Sequence, residues 1–344
     1  MLPVQQFHLA SLIVLATICA GLDLLWFARP TNNMLSSNTS NEFNYCGHPP
    51  TSKSGSRIVN GVEASKNEFP WIAKLLVDFV TVGAGSLITD RHILTAAHCL
   101  VFYNESVPLF PHCTSSDPRK NYEALPVSFF SFVLGSYATV NLPKDKVLQT
   151  LSYVLHPQFD IFNSGQEVIQ VNDIAIATIA PVTFSHRIVP ICLPLPNEAI
   201  PNWMKVTVAG WGTIVDSTTL TQNSSVRSQV LMKTSLTYVP FEYCTAYTNL
   251  QPYLTRRNCI APYEKEILCL YGNNTDSCRG DSGGPVMSQQ FNNFYTVAGI
   301  VSWGIGCNRP NTPSAYTNVR QFFKWIMKHT RDGFYLPRPP LDQK

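Results

Sequence analysis

Short apolar runs set the pattern of this chain from Ile58 onward. Clusters of Gly, Pro and Asn separate the runs, and these residues favour turns over the interiors of helices and strands. The clearest runs cover residues 71–77, 93–97, 174–179, 206–209 and 296–302. Short runs with turn signals between them are typical of all-β proteins. The pattern therefore predicts one β domain, which could be built in two halves.

The end of the chain departs from this pattern. Residues 319–330 group aromatic and aliphatic side chains at helical spacing, which predicts an amphipathic closing helix. The segment that follows, residues 331–344, contains prolines and no apolar period. We expect this tail to leave the globule.

The start of the chain resembles a targeting segment. Residues 9–21 form an apolar run that ends in small residues, as a secretory signal with its cleavage site does. No Lys or Arg precedes the run, so an anchor that extends to residue 28 is the alternative; it would place Asp23 in hydrocarbon, which costs ~2.5–3.5 kcal/mol at the centre of a membrane. We expect a signal peptide over residues 1–21 and a secreted, extracellular protein, with membrane attachment only through an uncleaved anchor.

Residues 31–56 carry no hydrophobic period and are rich in Asn, Ser, Thr and Pro, which indicates an irregular segment or a pro-segment; we assign the pro-segment to residues 22–57. Sequons for N-glycosylation fit an exported chain. They begin at Asn38, Asn104, Asn223 and Asn273.

Composition excludes several classes of protein. Charged residues make up only 14% of the chain and hydrophobic residues 45%, which excludes disorder over most of its length. The net charge of +3 comes without a basic stripe, so the chain lacks the electrostatic footprint that a phosphate backbone requires. We expect no nucleic acid partner.

The sharpest chemical signal is a serine flanked by glycines, in Gly280-Asp281-Ser282-Gly283-Gly284-Pro285. Such a turn can aim backbone N–H groups at one point beside the hydroxyl. The pattern Gly-x-Ser-x-Gly also marks α/β-hydrolases, which place Asp and His after the Ser. Here His98 and Asp173 precede Ser282, and the order His, Asp, Ser is that of chymotrypsin.

With these residues the sequence resembles the chymotrypsin/trypsin family of serine endopeptidases, from about Ile58 to Thr330. Further motifs that carry the resemblance are Arg57-Ile58-Val59-Asn60-Gly61, Leu94-Thr95-Ala96-Ala97-His98-Cys99, Asp173-Ile174-Ala175, Gly210-Trp211-Gly212 and Ser302-Trp303-Gly304. The resemblance implies an all-β fold of two six-stranded antiparallel barrels with a C-terminal α-helix. Signal, pro-segment, a protease domain over residues 58–330 and a tail over residues 331–344 then account for the 344 residues.

The resemblance implies nucleophilic catalysis by Ser282, with His98 as general base and then acid and Asp173 as its orienting partner. The backbone N–H groups of Gly280 and Ser282 would form the oxyanion hole. It also implies that Ser302 donates to Asp173 and that Trp303 and Gly304 offer an edge strand to the substrate.

No metal or cofactor is expected. The loop that binds calcium in some relatives has Ser136 and Lys146 where carboxylate ligands would stand.

The family is made as zymogens, and the same resemblance implies activation by cleavage after Arg57. The new amine of Ile58 would pair with Asp281, next to Ser282, and order the loop that carries Gly280.

Asp276, six residues before Ser282, stands at the floor of the specificity pocket in such a protease and favours Arg or Lys before the cleaved bond. Ser314 occupies a wall position where trypsin-like relatives usually have Gly. A long basic side chain could still reach Asp276 with a displaced water, or the pocket could be partly closed. Arg279 could repel basic flanking residues, pair with Asp276 or simply be exposed.

The ten cysteines give a further test of the resemblance. It implies the bridges Cys46–Cys192, Cys244–Cys269 and Cys278–Cys307. Cys99 has Gly83 at its usual partner position, so we predict a bridge from Cys99 to Cys113 instead. Cys259 then has no assigned partner, and Cys19 would leave with the signal.

We therefore expect a secreted serine endopeptidase that acts on proteins and peptides, is activated by another protease and is open to protein inhibitors. The alternative is a catalytically weak homologue that works by binding partners. Ser314 and the missing partner of Cys99 motivate this alternative.

Overall fold

The computed structural model describes residues 44–49, 61–103, 122–139, 147–163, 168–214, 226–246, 265–290 and 293–340. All of them belong to one compact unit. Several predicted features lie outside the described residues: the signal or anchor, the bond between Arg57 and Ile58, Lys146, Cys19, Cys113, Cys259 and the sequons at Asn38, Asn104 and Asn223. Within the described residues, no helix has the length and apolar character that crossing a membrane requires.

Six antiparallel strands of the first half close into a barrel. They are β2 (Ile72–Val77), β3 (Val80–Leu87), β4 (His92–Thr95), β7 (Phe130–Leu134), β8 (Val147–Leu155) and β11 (Ala175–Ile179). Pairing of β11 with β8 completes the order β11-β4-β3-β2-β7-β8. All of β4 and most of β2 and β11 are buried, because one face fills the barrel and the other is covered by the rest of the domain.

The second half forms another barrel from six strands. They are β12 (Lys205–Gly210), β13 (Met232–Val239), β14 (Ile267–Tyr271), β15 (Pro285–Gln289), β16 (Tyr295–Trp303) and β17 (Ser314–Asn318). The pairing of β13 with β14 closes it, and β1 (Val62–Glu63) extends it at the edge of β13. The prediction of two six-stranded barrels is confirmed.

The remaining elements are short. They are β5 (Val101–Phe102) with β6 (Glu123–Ala124), β9 (Asp160–Asn163) with β10 (Val168–Val171), helices α1 (Phe241–Ala246) and α2 (Phe323–His329), and 3₁₀ turns at Ala97–Leu100, Val127–Phe129 and Val319–Phe322.

The closing helix is shorter than its sequence pattern indicates. Residues 319–322 form a 3₁₀ turn, and α2 begins only after it. Val319 and Phe322 are both buried, at the spacing of three that one 3₁₀ turn brings to the same side, and Ile326 continues that buried face. The tighter turn therefore keeps the apolar contacts while changing the helix type.

The expectation that the tail leaves the globule is wrong. The guanidinium of Arg338 makes two contacts with the carboxylate of Glu198, at 2.8 and 3.2 Å. The backbone N–H of Cys46 donates to the carbonyl of Pro337 at 3.0 Å. These polar contacts hold residues 331–340 against the domain. A proline-containing segment without an apolar period gives no sequence signal from which such individual contacts could be predicted.

Three predicted disulfides are present, Cys46–Cys192, Cys244–Cys269 and Cys278–Cys307. The predicted bridge between Cys99 and Cys113 is wrong, because Cys99 carries a free thiol. Its sulfur faces Gly83: a Cβ atom built on Gly83 would lie 3.5 Å from it. Cys99 thus points toward position 83, where a cysteine could form a bridge with it, but Gly83 has no side chain.

Candidate active site

Paired strands bring His98 and Asp173 together. His98 lies in the 3₁₀ turn after β4, Asp173 lies just before β11, and β4 pairs with β11 in the first barrel. Nδ1 of His98 is 2.7 Å from Oδ2 of Asp173, and the backbone N–H of His98 donates to Oδ1 at 2.9 Å. Asp173 is 1% exposed. Each of its carboxylate oxygens accepts a hydrogen bond from His98, and both oxygens are shielded from solvent.

The second barrel supplies a further donor to the same carboxylate. The hydroxyl of Ser302, on β16, donates to Oδ2 of Asp173 at 2.5 Å, and the hydroxyl of Thr317, on β17, donates to the Asp173 carbonyl at 2.8 Å. The contact expected of Ser302 is therefore present. Asp173 is fixed by both barrels at once.

Opposite charges set the protonation of the pair. Burial favours the neutral forms, but the Asp173 carboxylate and its hydrogen bond raise the pKa of His98 well above its usual value. Burial likewise opposes ionisation of Asp173, but His98 and the hydrogen bonds from His98 and Ser302 hold the pKa of Asp173 below its usual value. In neutral His98 the proton sits on Nδ1, facing Asp173, which leaves Nε2 free to accept a proton.

Ser282 lies in the tight turn before β15. Its carbonyl accepts the N–H of Ala84 from β3 at 2.8 Å, and the N–H of Gly283 donates to Val301 at 2.9 Å. Gly283 has φ +78°, and a Cβ there would come within 2.2 Å of the Thr95 hydroxyl oxygen. Only glycine therefore lets this turn dock against the first barrel beside His98.

The Ser282 hydroxyl makes no hydrogen bond with any described residue. Catalytic hydrogen bonds are often long in free enzymes and shorten when substrate binds. Gly280 has φ +100°, a conformation suited to glycine. Among the described residues, no acceptor engages the N–H of Gly280 or of Ser282, so both can donate to a substrate oxygen.

Asp281 points away from the nucleophile into a cavity of about 490 Å³. The N–H groups of Gly212 and Cys278 donate to its two oxygens at 2.7 and 2.9 Å. Burial raises the pKa of Asp281 to about 6. Gly61 lines the same cavity, at the base of β1. Within the described part of the chain no cationic side chain forms an ion pair with Asp281, and the charge of Arg227 only partly offsets the effect of burial on its pKa.

Asp276 is held by four donors. The backbone N–H of Ser277 and the hydroxyl of Tyr316 reach Oδ1 at 2.8 and 3.3 Å. The backbone N–H of Asn308 and the hydroxyl of Ser314 reach Oδ2 at 3.1 and 2.9 Å. Burial raises the pKa of Asp276, against the effect of these hydrogen bonds.

The other predicted pocket residues lie on β16, just after it and before Ser282. Trp303 ends β16 and is 8% exposed, and a Cβ atom built on Gly304, the next residue, would come within 2.9 Å of the Ser314 oxygen. Arg279 is exposed, and within the described residues it forms no ion pair with Asp276. The predicted pairing of Arg279 with Asp276 is therefore not observed, and its possible repulsion of basic flanking residues stays a prediction.

The sequence indicated neither the contact of Cys99 with His98 nor the burial of Lys74. The sulfur of Cys99 lies 3.5 Å from Nε2 of His98. Lys74 is fully buried in β2, with its ammonium 4.5 Å from the Trp211 ring centre and 2.5 Å from the Ala138 carbonyl oxygen, and burial lowers its pKa to about 8. The position of Lys74 inside the apolar run of residues 71–77 was the sequence signal that could have predicted its burial.

Among the described residues, no group of three His, Cys, Asp or Glu side chains is placed to hold a metal ion. His98 and Asp173 form a hydrogen-bonded imidazole–carboxylate pair, and the turn that carries Ser282 is hydrogen-bonded to β3 of the same barrel. These groups are suited to acyl transfer.

Comparison with known proteins agrees with this chemistry. The family model described as Trypsin matches residues 58–326. The chain is 30% identical to Transmembrane protease serine 9 of Rattus norvegicus, over 87% of this chain and 24% of that protein. It is 31% identical to Melanization protease 1 of Drosophila melanogaster, over 80% of this chain and 66% of that protein. It is 33% identical to Phenoloxidase-activating factor 3 of Holotrichia diomphalia, over 80% of this chain and 73% of that protein. The chain thus spans between a quarter and three quarters of these relatives.

Proposed function

Because this chain belongs to the trypsin family of serine proteases, we propose that it is a secreted serine endopeptidase. It is made as a zymogen, is activated by cleavage after Arg57, and hydrolyses peptide bonds after Arg or Lys. The observation that carries the proposal is the pairing of His98 with Asp173, whose carboxylate accepts both from Nδ1 and from the backbone of the same residue.

The reaction follows from this pairing. Nε2 of His98 removes the proton from Ser282 as Oγ attacks the carbonyl carbon of the scissile bond. The oxyanion that forms accepts hydrogen bonds from Gly280 and Ser282, and each such donor is worth about 3 kcal/mol in proteases where one was removed. His98 then passes its proton to the leaving amine. Water repeats the sequence on the acyl-enzyme and frees Ser282.

Asp173 makes this proton transfer possible without taking the proton itself. Its charge stabilises the imidazolium, and its hydrogen bond with Nδ1 keeps the ring in one orientation while the backbone N–H of His98 holds the other oxygen. The donor from Ser302 removes the remaining freedom of the carboxylate. Ordering of all three groups before substrate arrives lowers the entropy that must be lost in the transition state.

The cavity beside Asp281 supports the proposed activation. Gly61 borders that cavity, and the three residue-to-residue steps from Ile58 to Gly61 can span up to about 10 Å when extended. A free amine at Ile58 can therefore enter and pair with the buried carboxylate. Since Asp281 joins Gly280 to Ser282, the ion pair would hold the oxyanion loop in its working shape.

The buried carboxylate of Asp276 supports cleavage after basic residues. A cationic side chain that enters the pocket would neutralise a charge whose burial is otherwise unfavourable. Partners of the enzyme are then protein or peptide substrates, an activating protease and protein inhibitors.

The proposals of secretion and N-glycosylation rest on the sequence. Asn273, the one sequon within the described residues, is exposed and accessible to a glycan. One relative is named a transmembrane protease, and the alternative for this chain is an uncleaved anchor ending at residue 28. Recovery of residues 31 onward from the medium of producing cells would exclude that anchor.

Labelling with a fluorophosphonate tests the proposed function. The full chain is exposed to an immobilised trypsin-like activator, which is then removed, and the adduct is located by mass spectrometry. We expect an adduct on Ser282 after cleavage at Arg57, none in Ser282→Ala and only trace labelling of Arg57→Gln. If the cleaved wild-type chain stays unlabelled, the alternative of a homologue that only binds partners is favoured.

A further inference from the structure

The carboxylate of Asp276 has little acceptor capacity left for a substrate. Two carboxylate oxygens offer about four lone-pair sites. Ser277, Asn308, Tyr316 and Ser314 each direct one donor at them, at distances between 2.8 and 3.3 Å. A basic side chain can bind directly only by displacing one of these donors or by contacting a group that already holds the carboxylate.

Three of the four donors are fixed in place. Those of Ser277 and Asn308 are backbone N–H groups. Tyr316 is 1% exposed, and its hydroxyl also bonds the Ser277 hydroxyl at 2.8 Å. Ser314 is the exception, because its hydroxyl can rotate and keeps lone pairs after it donates.

Ser314 also lies between the carboxylate and the strand that is proposed to bind substrate. A Cβ atom built on Gly304 would come within 2.9 Å of the Ser314 oxygen and 3.3 Å of its Cβ atom. The Ser314 side chain therefore fills the space that a side chain at position 304 would need, and its hydroxyl donates to Asp276 at 2.9 Å. We expect a substrate side chain that passes Gly304 to meet this oxygen on its way to the carboxylate.

Lysine and arginine differ at such a site. A guanidinium binds a carboxylate best through two parallel N–H groups that reach both oxygens in one plane. Here Oδ1 is occupied by fixed donors and Oδ2 is covered by Ser314. An ammonium is a point charge with three rotatable donors, so it can use the lone pairs of Ser314 while the hydroxyl still donates to Asp276.

We propose that Ser314 makes this protease selective for Lys over Arg at the residue before the cleaved bond. Its hydroxyl links the ammonium to Asp276 and denies a guanidinium the paired contact. This inference rests on the proposed cleavage after Arg or Lys and narrows that specificity to Lys.

The test compares two peptide substrates that differ only in Lys or Arg before the scissile bond. Wild type, Ser314→Gly and Ser314→Ala are activated in the same way, and each preparation is normalised to its Ser282 sites labelled by fluorophosphonate. We expect kcat/KM of wild type to favour Lys by about tenfold or more. In Ser314→Gly the Lys/Arg ratio should fall by about tenfold, mostly through gain on the Arg peptide.

Ser314→Ala separates the hydroxyl from its bulk. The methyl group still narrows the slot but neither donates nor accepts, so we expect loss on the Lys peptide without full recovery on the Arg peptide. A Lys/Arg ratio that is the same in wild type and Ser314→Gly would overturn the role of Ser314 while leaving cleavage after basic residues intact. Labelled wild-type enzyme that cleaves neither peptide would overturn both the proposed specificity and this inference.

Discussion

The sulfur of Cys99 lies 3.5 Å from Nε2 of His98, the nitrogen that we propose takes the proton of Ser282. Cys99 is half-buried and forms no disulfide, so its thiol stands beside the base with one side open to reagents. In a bridged arrangement the same sulfur would be chemically inert. The free thiol therefore lies next to the proposed catalytic histidine.

A thiol reagent should therefore inhibit the activated enzyme. Methyl methanethiosulfonate forms a mixed disulfide on Cys99, and the added group would crowd Nε2 of His98 and the approach to Ser282. We expect loss of most peptide hydrolysis and recovery on addition of a reductant. The measurement is the residual rate after removal of excess reagent.

Cys99→Ser is the matched control for this inhibition. It keeps the size of the side chain and removes the nucleophilic sulfur, and should retain most activity and resist the reagent. Equal inhibition of Cys99→Ser would place the sensitive thiol elsewhere.

Hydrolysis should depend on the ionisation of His98. Only neutral His98 accepts a proton, and Asp173 raises its pKa, so kcat/KM should climb with pH through an acid limb that lies above the pKa of an ordinary histidine. Asp173→Asn should lower the rate by about four orders of magnitude and move the acid limb to lower pH. A pH profile of both enzymes measures the two effects. An unmoved acid limb in Asp173→Asn would contradict the assigned source of the shift.

The uncleaved chain should lose stability as pH rises past the titration of Asp281. Its folded pKa is about 6 against an ordinary value of 3.8, so between these values the folded chain binds more protons than the unfolded chain. The stability from this group is then complete below pH 3.8, declines across the window and is lost above pH 6, with a total of up to about 3 kcal/mol.

Asp281→Asn isolates this contribution. Urea unfolding of the uncleaved wild type and variant at several pH values between 4 and 7 gives the difference, which should shift in favour of the variant as pH rises. A difference that does not change with pH would show that Asp281 ionises normally. The variant should also fail to gain activity when it is cleaved after Arg57, since Ile58 would lose its partner.

The tail should contribute to stability through Arg338. Its paired contacts with Glu198 are partly buried, with side-chain exposures of 26% and 20%. Arg338→Ala should lower the free energy of unfolding by about 1 kcal/mol. A double-mutant cycle with Glu198→Gln measures the coupling between the two side chains, and strictly additive effects would mean that the ion pair contributes nothing.

Strand positions and the catalytic order were accessible from the sequence because each depends on local signals. Apolar runs mark buried strands such as β2 and β11, and the glycines around Ser282 mark a turn that no other residue could form. The family resemblance then supplied the two barrels and three bridges. What it could not supply depends on single contacts: the free thiol of Cys99, the hydroxyl of Ser314 on Asp276 and the docking of Arg338.

The bridge between Cys46 and Cys192 crosses the proposed cleavage site at Arg57. Cutting that peptide bond therefore produces a two-chain molecule in which the N-terminal piece stays covalently attached. Pro337 adds a backbone contact to the same piece. The proposed activation would therefore not release the protease domain: whatever holds the N-terminal segment in place would also hold the cleaved protein there, until a reductant or a second cut separates the two pieces.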